Sequence, residues 1–316
     1  MKVCIVGAGA IGCFLAAKIS QKTDDVVLLA RGNSFKTIKR DGITICGATE
    51  IKQKVRCVEH LEDAGQIDLY IIALKNHDNS LFAEELGRVI GPNSYVMNCL
   101  NGVPWWFFHG LDSGLEKTTI DSIDKNKSWW NAVGPERVVG TSVFAACQKI
   151  SDGNIRHVRG EYFPIGHPTS IESVGSFSEF FMSCGLNAEL KKNIHEVIWY
   201  KLWGNLGFNA IATITDKNVG QIANDKLLRA TLIDSMNEVG RVGESLGIYL
   251  TESPEKRIDS GSKNGSYAPS MLQDHRNGRK LEKNILKAVI DIAEQKEVNV
   301  PSIRTMFAIL NSIEVR

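Results

Sequence analysis

Three polar side chains stand at a regular spacing in an otherwise apolar stretch, where they could transfer a proton beside a carbonyl group. Lys201, Asn205 and Asn209 occur at positions i, i+4 and i+8 of WYKLWGNLGFN, a spacing that aligns them on one helical face. Burial among aromatic and aliphatic side chains disfavours the charged lysine, so that it can donate a proton and then recover it. The two amides can orient a carbonyl without adding charge. A snorkelling lysine with two buried, hydrogen-bonded asparagines is equally compatible with the spacing.

A second polar segment, SMLQDHRNGRKLE, begins at Ser270 and ends at Glu282. Ser270 fits the N-cap of a helix that the following residues predict. The charges within the segment are typical of a solvated helix face, and Glu282 is ambiguous on its own.

The beginning of the chain has the pattern of a dinucleotide-binding turn. Residues 2–6 predict a short strand, GAGAIG follows, and residues 13–19 continue with helical periodicity. The first glycine allows a tight turn, the second lets the backbone approach a pyrophosphate, and the third lets the helix pack closely on the strand. A glycine-rich turn without a ligand is the alternative. The candidate cofactor residues of this turn are Gly7, Gly9, Ala10, Ile11 and Gly12.

The residue after the second predicted strand, residues 25–30, indicates which nicotinamide nucleotide fits. A carboxylate there would accept the ribose 2′-hydroxyl, but this chain has Arg31. A guanidinium suits a 2′-phosphate, so we expect NADP(H) in preference to NAD(H). The alternative is a solvated loop arginine.

Two further strands end in polar residues. Residues 68–74 run into Lys75, and residues 95–100 run into Asn101. Ligands of open parallel sheets bind outside the carboxyl ends of the strands, so both side chains are candidates for contact with cofactor or substrate. Both would be ordinary loop residues otherwise.

An aromatic segment, residues 104–130, holds four of the six tryptophans. A loop of this length is often a lid or an interface, and the alternative is an insertion packed against its own domain. Residues 138–146 and 154–165 then predict strands, with a hairpin around Arg159 and Gly160.

Helical periodicity dominates the second half, in segments near residues 193–214, 225–246 and 273–296. The sequence therefore predicts an α/β protein with an N-terminal Rossmann-type dinucleotide-binding domain, residues 1–189, and an all-α C-terminal substrate and catalytic domain, residues 190–316.

The composition excludes several classes of function. The 316 residues carry a net charge of +1, which argues against nucleic acid or an anionic membrane as partner. Seven scattered cysteines without a C-x-x-C pair predict reduced thiols, no metal site and a cytoplasmic location. The longest mostly apolar run, residues 3–17, is too short to span a bilayer and lacks the basic region of a signal peptide.

Taken in order, these motifs resemble the ketopantoate reductase (2-dehydropantoate 2-reductase) family along nearly the whole chain. The resemblance implies NADPH held by the glycine turn, with Arg31 and Lys75 near its phosphate-bearing end and Asn101 near nucleotide and substrate. It implies Lys201 as general acid, with Glu282 orienting that lysine or a substrate hydroxyl. The implied substrate-binding residues are Asn205, Asn209, Ser270 and Asn101. The implied reaction is hydride transfer from NADPH to ketopantoate, which gives pantoate for pantothenate biosynthesis.

Departures from the family pattern concern the substrate. Tyr267 stands where an asparagine is frequent, Pro269 precedes Ser270, and Leu281 replaces a threonine before Glu282. The alternatives are reduction of another branched or aromatic 2-oxo acid and, from a different class, a non-catalytic NADP(H)-binding protein. We expect a small 2-oxo acid as partner, and a homodimer stays an open alternative.

Overall fold

Short β-branched runs form a parallel sheet in the first part of the chain, as expected for strands that are buried on both faces. The structure is a computed structural model that describes residues 1–75, 79–116, 118, 120–263 and 265–313. It divides into one unit of Met1–His109 with Asn126–Ile194 and another of Gly110–Lys125 with His195–Arg316. The sequence divides the chain at 189/190 instead and gives no sign that residues 110–125 belong with the helical half.

The first unit contains a parallel sheet in the order β5-β2-β1-β6-β7, a second sheet in the order β4-β3-β10-β9, and the antiparallel pair β8-β11. Its strands are β1 (Val3–Val6), β2 (Val26–Leu29), β3 (Ile43–Gly47), β4 (Ile51–Gln53), β5 (Arg56–Val58), β6 (Leu69–Ile72), β7 (Tyr95–Asn98), β8 (Gly140–Thr141), β9 (Phe144–Ser151), β10 (Asn154–Tyr162) and β11 (Ile165–Gly166). Its helices are α1 (Ala10–Ser20), α2 (Gly32–Asp41), α3 (Asn79–Gly87), α4 (Ser128–Ala132) and α5 (Gly175–Ser183). The predicted strand, glycine turn and helix at the start of the chain are confirmed.

Helix α1 forms the centre of this unit. It packs against β1 and β2 of the parallel sheet and against β3, β9 and β10 of the second sheet. The Phe14 ring lies 4.6 Å from the His157 ring and 6.5 Å from the Phe163 ring, measured between centroids. A helix that is apolar on every side needs such cover, because a surface helix shows only one apolar stripe. This burial fixes the glycine turn that precedes α1.

The predicted hairpin around Arg159 and Gly160 is wrong. Strands β9 and β10 are joined by a turn at Gly153 (φ +73), whereas Gly160 (φ +78) lies within β10 at a register shift. A Cβ on Gly160 would lie 2.3 Å from the carbonyl oxygen of Phe144, so this glycine serves a β-bulge. Positive φ favours glycine in turns and bulges alike, which is why the sequence does not separate the two. The strand predicted over residues 138–146 is likewise divided between β8 and β9.

The second unit is helical. Its helices are α6 (Ile194–Thr215), α7 (Val219–Asn224), α8 (Lys226–Ser245), α9 (Pro254–Ser262), α10 (Ser270–Arg276), α11 (Asn284–Gln295) and α12 (Pro301–Ser312). Two indoles join α6 to α8: Trp199 Nε1 donates to the Val239 carbonyl (3.2 Å) and Trp203 Nε1 to the Met236 carbonyl (2.9 Å). No helix of the described residues is long and apolar enough to cross a bilayer.

The third predicted helix, over residues 273–296, is wrong as one element. Helix α10 ends at Arg276, Gly278 takes a positive φ of +61°, and α11 begins only at Asn284. A left-handed glycine just after a helix is a common way to end it. The predicted N-cap at Ser270 is also wrong: Pro269 holds that position, and Ser270 is the first helical residue.

Candidate functional site

The glycine turn has backbone geometry that only glycine accommodates at two of its three positions. Gly7 adopts φ +105, and a Cβ on Gly12 would lie 1.9 Å from the Gly7 carbonyl oxygen. Gly9 is different, because its φ of −80° is ordinary and an added Cβ would meet nothing closer than 3.9 Å. Its missing side chain therefore leaves open space at the start of α1. Ala10 and Ile11 supply first-turn N–H groups there, which suit an anion.

A cavity of about 320 Å³ lies beside this turn. It is lined by Val6, Gly7, Ala8, Gly9, Leu29, Ala30, Arg31, Ser34, Ala73, Leu74, Lys75, Phe82 and Lys149. Of the residues predicted from the sequence, it brings together the first two glycines, Arg31 and Lys75. Asn101 lies beyond the end of β7, next to Gly102 (φ +98), and is outside this lining.

Arg31 lines the cavity and is paired with a counter-ion. Its Nη2 donates to both carboxylate oxygens of Glu85 on α3, at 2.7 and 2.6 Å. The Arg31 side chain keeps 61% of its surface exposed, so the pair is open to solvent. A second carboxylate, that of Glu59, accepts the Gly32 N–H at 3.0 Å where α2 begins. An anionic ligand at Arg31 would share that guanidinium with Glu85.

Lys149 is a lining cation that the sequence did not identify. It lies on β9, and its Nζ is 2.6 Å from Asp152 Oδ1 and 3.2 Å from Ser34 Oγ. Ser34 in turn donates to Asp152 Oδ1 at 2.5 Å. The hydrogen bonds from Lys149 and Ser34 hold the pKa of the Asp152 carboxyl below its usual value. No sequence motif marks this lysine, because only the pairing of the second sheet brings it to the cavity.

The cavity fits a phosphate-bearing dinucleotide. Gly9 leaves space where a side chain would obstruct a pyrophosphate, and three cations, Arg31, Lys75 and Lys149, belong to the same lining. Among the residues described, no group of three or more His, Cys, Asp or Glu side chains is arranged to hold a metal ion.

In the second unit, α6 carries the three polar residues that the spacing aligned. Lys201 is 9% exposed and Asn209 7%, while Asn205 is half-buried. Asn209 Nδ2 donates to the Asn205 carbonyl at 2.9 Å, which uses one of its two amide hydrogens.

Asn209 also reaches the start of α10. Its Oδ1 accepts the Met271 N–H at 3.2 Å and the Ser270 hydroxyl at 3.4 Å. The structure therefore joins two predicted site residues that are 61 positions apart. Ser270 remains exposed, and Glu282 is half-buried in the connection between α10 and α11.

The aromatic segment, residues 104–130, packs against the first unit at both of its ends. This agrees with the alternative of an insertion packed against its own domain. The Trp105 and Trp129 rings stack with centroids 6.3 Å apart, and Trp105 Nε1 donates to Asn98 Oδ1 at 2.9 Å. Trp106, Phe107 and Phe108 are buried as well. These side chains fill a core and are not presented as a lid surface.

Sequence comparison finds relatives along almost the whole chain. Residues 3–169 match the family described as ketopantoate reductase PanE/ApbA, and residues 193–314 match its C-terminal part. A 2-dehydropantoate 2-reductase of Mesorhizobium japonicum is 34% identical over 320 residues, which cover 100% of this chain and 98% of that protein.

Solved structures agree with the fold. A protein from Ralstonia solanacearum MolK2, provisionally named a ketopantoate reductase, has a TM-score of 0.92 at 28% identity, covering 98% of this chain and 96% of that one. A D-mandelate dehydrogenase with bound NADH and anilino(oxo)acetate has a TM-score of 0.84 at 20% identity, covering 99% and 97%. At the latter identity the likeness shows the fold alone.

Proposed function

The chain belongs to the ketopantoate reductase family of oxidoreductases, which act on CH–OH groups, and we propose that it reduces 2-dehydropantoate to pantoate with NADPH, for pantothenate biosynthesis. The observation that carries this proposal is the hydrogen bonding of Asn209 to Ser270 and Met271. It links Asn209, on the face of α6 that bears Lys201, to the start of α10, so that amide and hydroxyl groups of two helices lie together in the region proposed to hold a small 2-oxo acid.

In this proposal Lys201 is the general acid. When bound, NADPH supplies the hydride that reduces the keto carbon. Lys201 stabilises the developing alkoxide through its positive charge and donates a proton to the alkoxide oxygen. Glu282 orients the lysine or a substrate hydroxyl.

The remaining roles are binding roles. Asn205, the second Nδ2 hydrogen of Asn209, and Ser270 hold the substrate. The Ser270 hydroxyl has one hydrogen, so on substrate binding it turns from Asn209 Oδ1 to donate to the substrate carboxylate. The glycine turn and its neighbours hold the cofactor, through Gly7, Gly9, Ala10, Ile11, Gly12, Arg31, Lys75 and Asn101. We further propose a cytoplasmic enzyme, which suits seven cysteines that form no disulfide, and leave a homodimer as an alternative to a monomer.

The test compares Lys201→Ala with Lys226→Ala, which removes an exposed lysine of α8. Loss of a general acid lowers kcat by roughly 10²–10⁴-fold. We expect that loss in NADPH oxidation with ketopantoate for the first variant only, while NADPH affinity is retained. Equal turnover by Lys201→Ala and the wild-type chain would refute the assignment and revive the non-catalytic binding protein.

A second candidate substrate is an aromatic 2-oxo acid. Tyr267 supports it, because an aromatic side chain replaces a frequent asparagine just before α10. The D-mandelate dehydrogenase with the same fold was solved with anilino(oxo)acetate, an aromatic 2-oxo acid derivative. Comparison of kcat/KM for phenylglyoxylate and ketopantoate separates the two candidates.

A further inference from the structure

Lys149 is held at the cavity wall by two contacts. Its ammonium bonds to Asp152 and Ser34, and an ammonium has three N–H donors. Its side chain is 27% exposed, so it is neither buried in the core nor fully solvated. The contacts fix where the positive charge stands before any ligand arrives, which reduces the entropy lost on binding.

The position of Lys149 relative to Arg31 follows from Ser34. Arg31 is the N-cap of α2, Ser34 lies in the first turn of that helix, and both line the cavity. Because Lys149 Nζ is 3.2 Å from Ser34 Oγ, a lysine of the second sheet lies one side chain away from the end of β2. That end of a dinucleotide fold receives the ribose that carries the 2′ substituent.

We propose that Lys149 is a second cation for the 2′-phosphate of NADP(H), positioned by Ser34 and Asp152 and acting beside Arg31. The inference rests on the proposed function, because it takes the cavity to be the site of the nicotinamide nucleotide. It adds a specificity-determining residue to the sequence expectation, which assigns the 2′-phosphate to Arg31 and places Lys75 near the phosphate-bearing end of the cofactor.

The counter-ions predict the direction in which each substitution changes the binding of a 2′-phosphate. Arg31 is paired with Glu85 and Lys149 with Asp152, so a phosphate would share each cation with a carboxylate. Removal of either cation should then weaken binding of a 2′-phosphate, and neutralisation of Asp152 should strengthen it. If the Lys149–Asp152 pair had a purely structural role, removal of Lys149 and neutralisation of Asp152 would each weaken binding or leave it unaltered.

The experiment measures calorimetric dissociation constants of 2′,5′-ADP and 5′-AMP, two probes that differ in the 2′-phosphate. We expect Lys149→Gln to weaken 2′,5′-ADP by roughly five- to thirtyfold, as for a partly exposed charge-assisted contact, and to change 5′-AMP less than about twofold. Lys149→Arg should keep most of the discrimination. Asp152→Asn should tighten 2′,5′-ADP by roughly two- to fivefold.

Lys52→Gln is the matched control, since it removes an exposed lysine of β4 in the same sheet. An equal loss for both probes in Lys149→Gln, or no loss for either, overturns the proposal. A wild-type chain that binds both probes equally also overturns the proposal for Lys149. That result leaves the proposed reductase activity intact, with NADH as its cofactor. Failure of the wild-type chain to bind either probe removes the nucleotide assignment and the proposed function together.

Discussion

Substitution of Gly9 should affect cofactor binding, whereas substitution of Gly12 should affect folding, although both glycines belong to the same motif. An alanine at Gly9 meets nothing closer than 3.9 Å and keeps an ordinary φ of −80°, so we expect Gly9→Ala to change the free energy of unfolding by less than about 1 kcal/mol. For a chain of this size that corresponds to a Tm shift below about 4 °C. The new methyl group nevertheless fills the space that a pyrophosphate requires.

Gly12→Ala should act on the fold itself. Its Cβ would lie 1.9 Å from the Gly7 carbonyl oxygen, whereas packed carbon and oxygen atoms stay more than 3 Å apart. Helix α1 would have to move by over about 1 Å within a core that covers it on several sides, and overpacking of this kind costs about 1–3 kcal/mol or more.

Thermal unfolding and NADPH titration of the two variants check this contrast. We expect Gly9→Ala to keep its Tm and to bind NADPH at least about tenfold more weakly, since one lost contact of about 1.4 kcal/mol gives that factor. Gly12→Ala should lose Tm as well as binding. Wild-type affinity in Gly9→Ala, or an undiminished Tm in Gly12→Ala, would show that the reasoning about the turn is wrong.

Four further predictions concern charges and thiols. Glu85→Gln removes the counter-ion of Arg31 and should lower KM for NADPH more than KM for NADH, which steady-state kinetics with both cofactors check. Because the ion pair is exposed, the free energy of unfolding should change by less than about 1 kcal/mol. Glu238 is 3% exposed and accepts the Ser302 and Ile303 N–H groups at the start of α12. Glu238→Gln should therefore lower the free energy of unfolding in urea by about 1–3 kcal/mol. Glu244→Gln, which changes an exposed residue of the same helix, should lower it by almost nothing. Burial raises the pKa of Cys4 and Cys13 to about 12, so Ellman's reagent should leave both thiols unmodified in the native chain near about pH 8 and react after unfolding. The unfolded thiols titrate near 9.0 and the folded ones near 12, so their contribution to stability is complete below pH 9.0 and is lost as the pH rises toward 12; a urea midpoint that stays constant over that range would contradict it.

Local patterns were enough to predict the elements around the cofactor turn. Strands β1, β2, β6 and β7 are short, apolar and bounded by polar or glycine residues, so composition alone located them. The turn at Gly7 needed no tertiary information, because positive φ and close packing select glycine directly.

Contacts between distant segments could not be predicted in the same way. Lys149 and Ser34 are 115 positions apart, and they meet only because β10 pairs with both β3 and β9. The sequence predicts a hairpin turn at Gly160, where the structure has a bulge, because local sequence does not record which strand lies opposite. Family resemblance named both Asn209 and Ser270, but their hydrogen bond depends on where α10 begins, one residue earlier than the predicted cap implies.

The most direct test of the central claim is the kcat/KM of the wild-type chain for ketopantoate, measured by NADPH oxidation beside phenylglyoxylate and pyruvate. The proposal predicts that ketopantoate is preferred by at least about tenfold, a discrimination of about 1.4 kcal/mol in the transition state. A higher kcat/KM for phenylglyoxylate, or no NADPH oxidation with ketopantoate by a chain that binds NADPH, would contradict it.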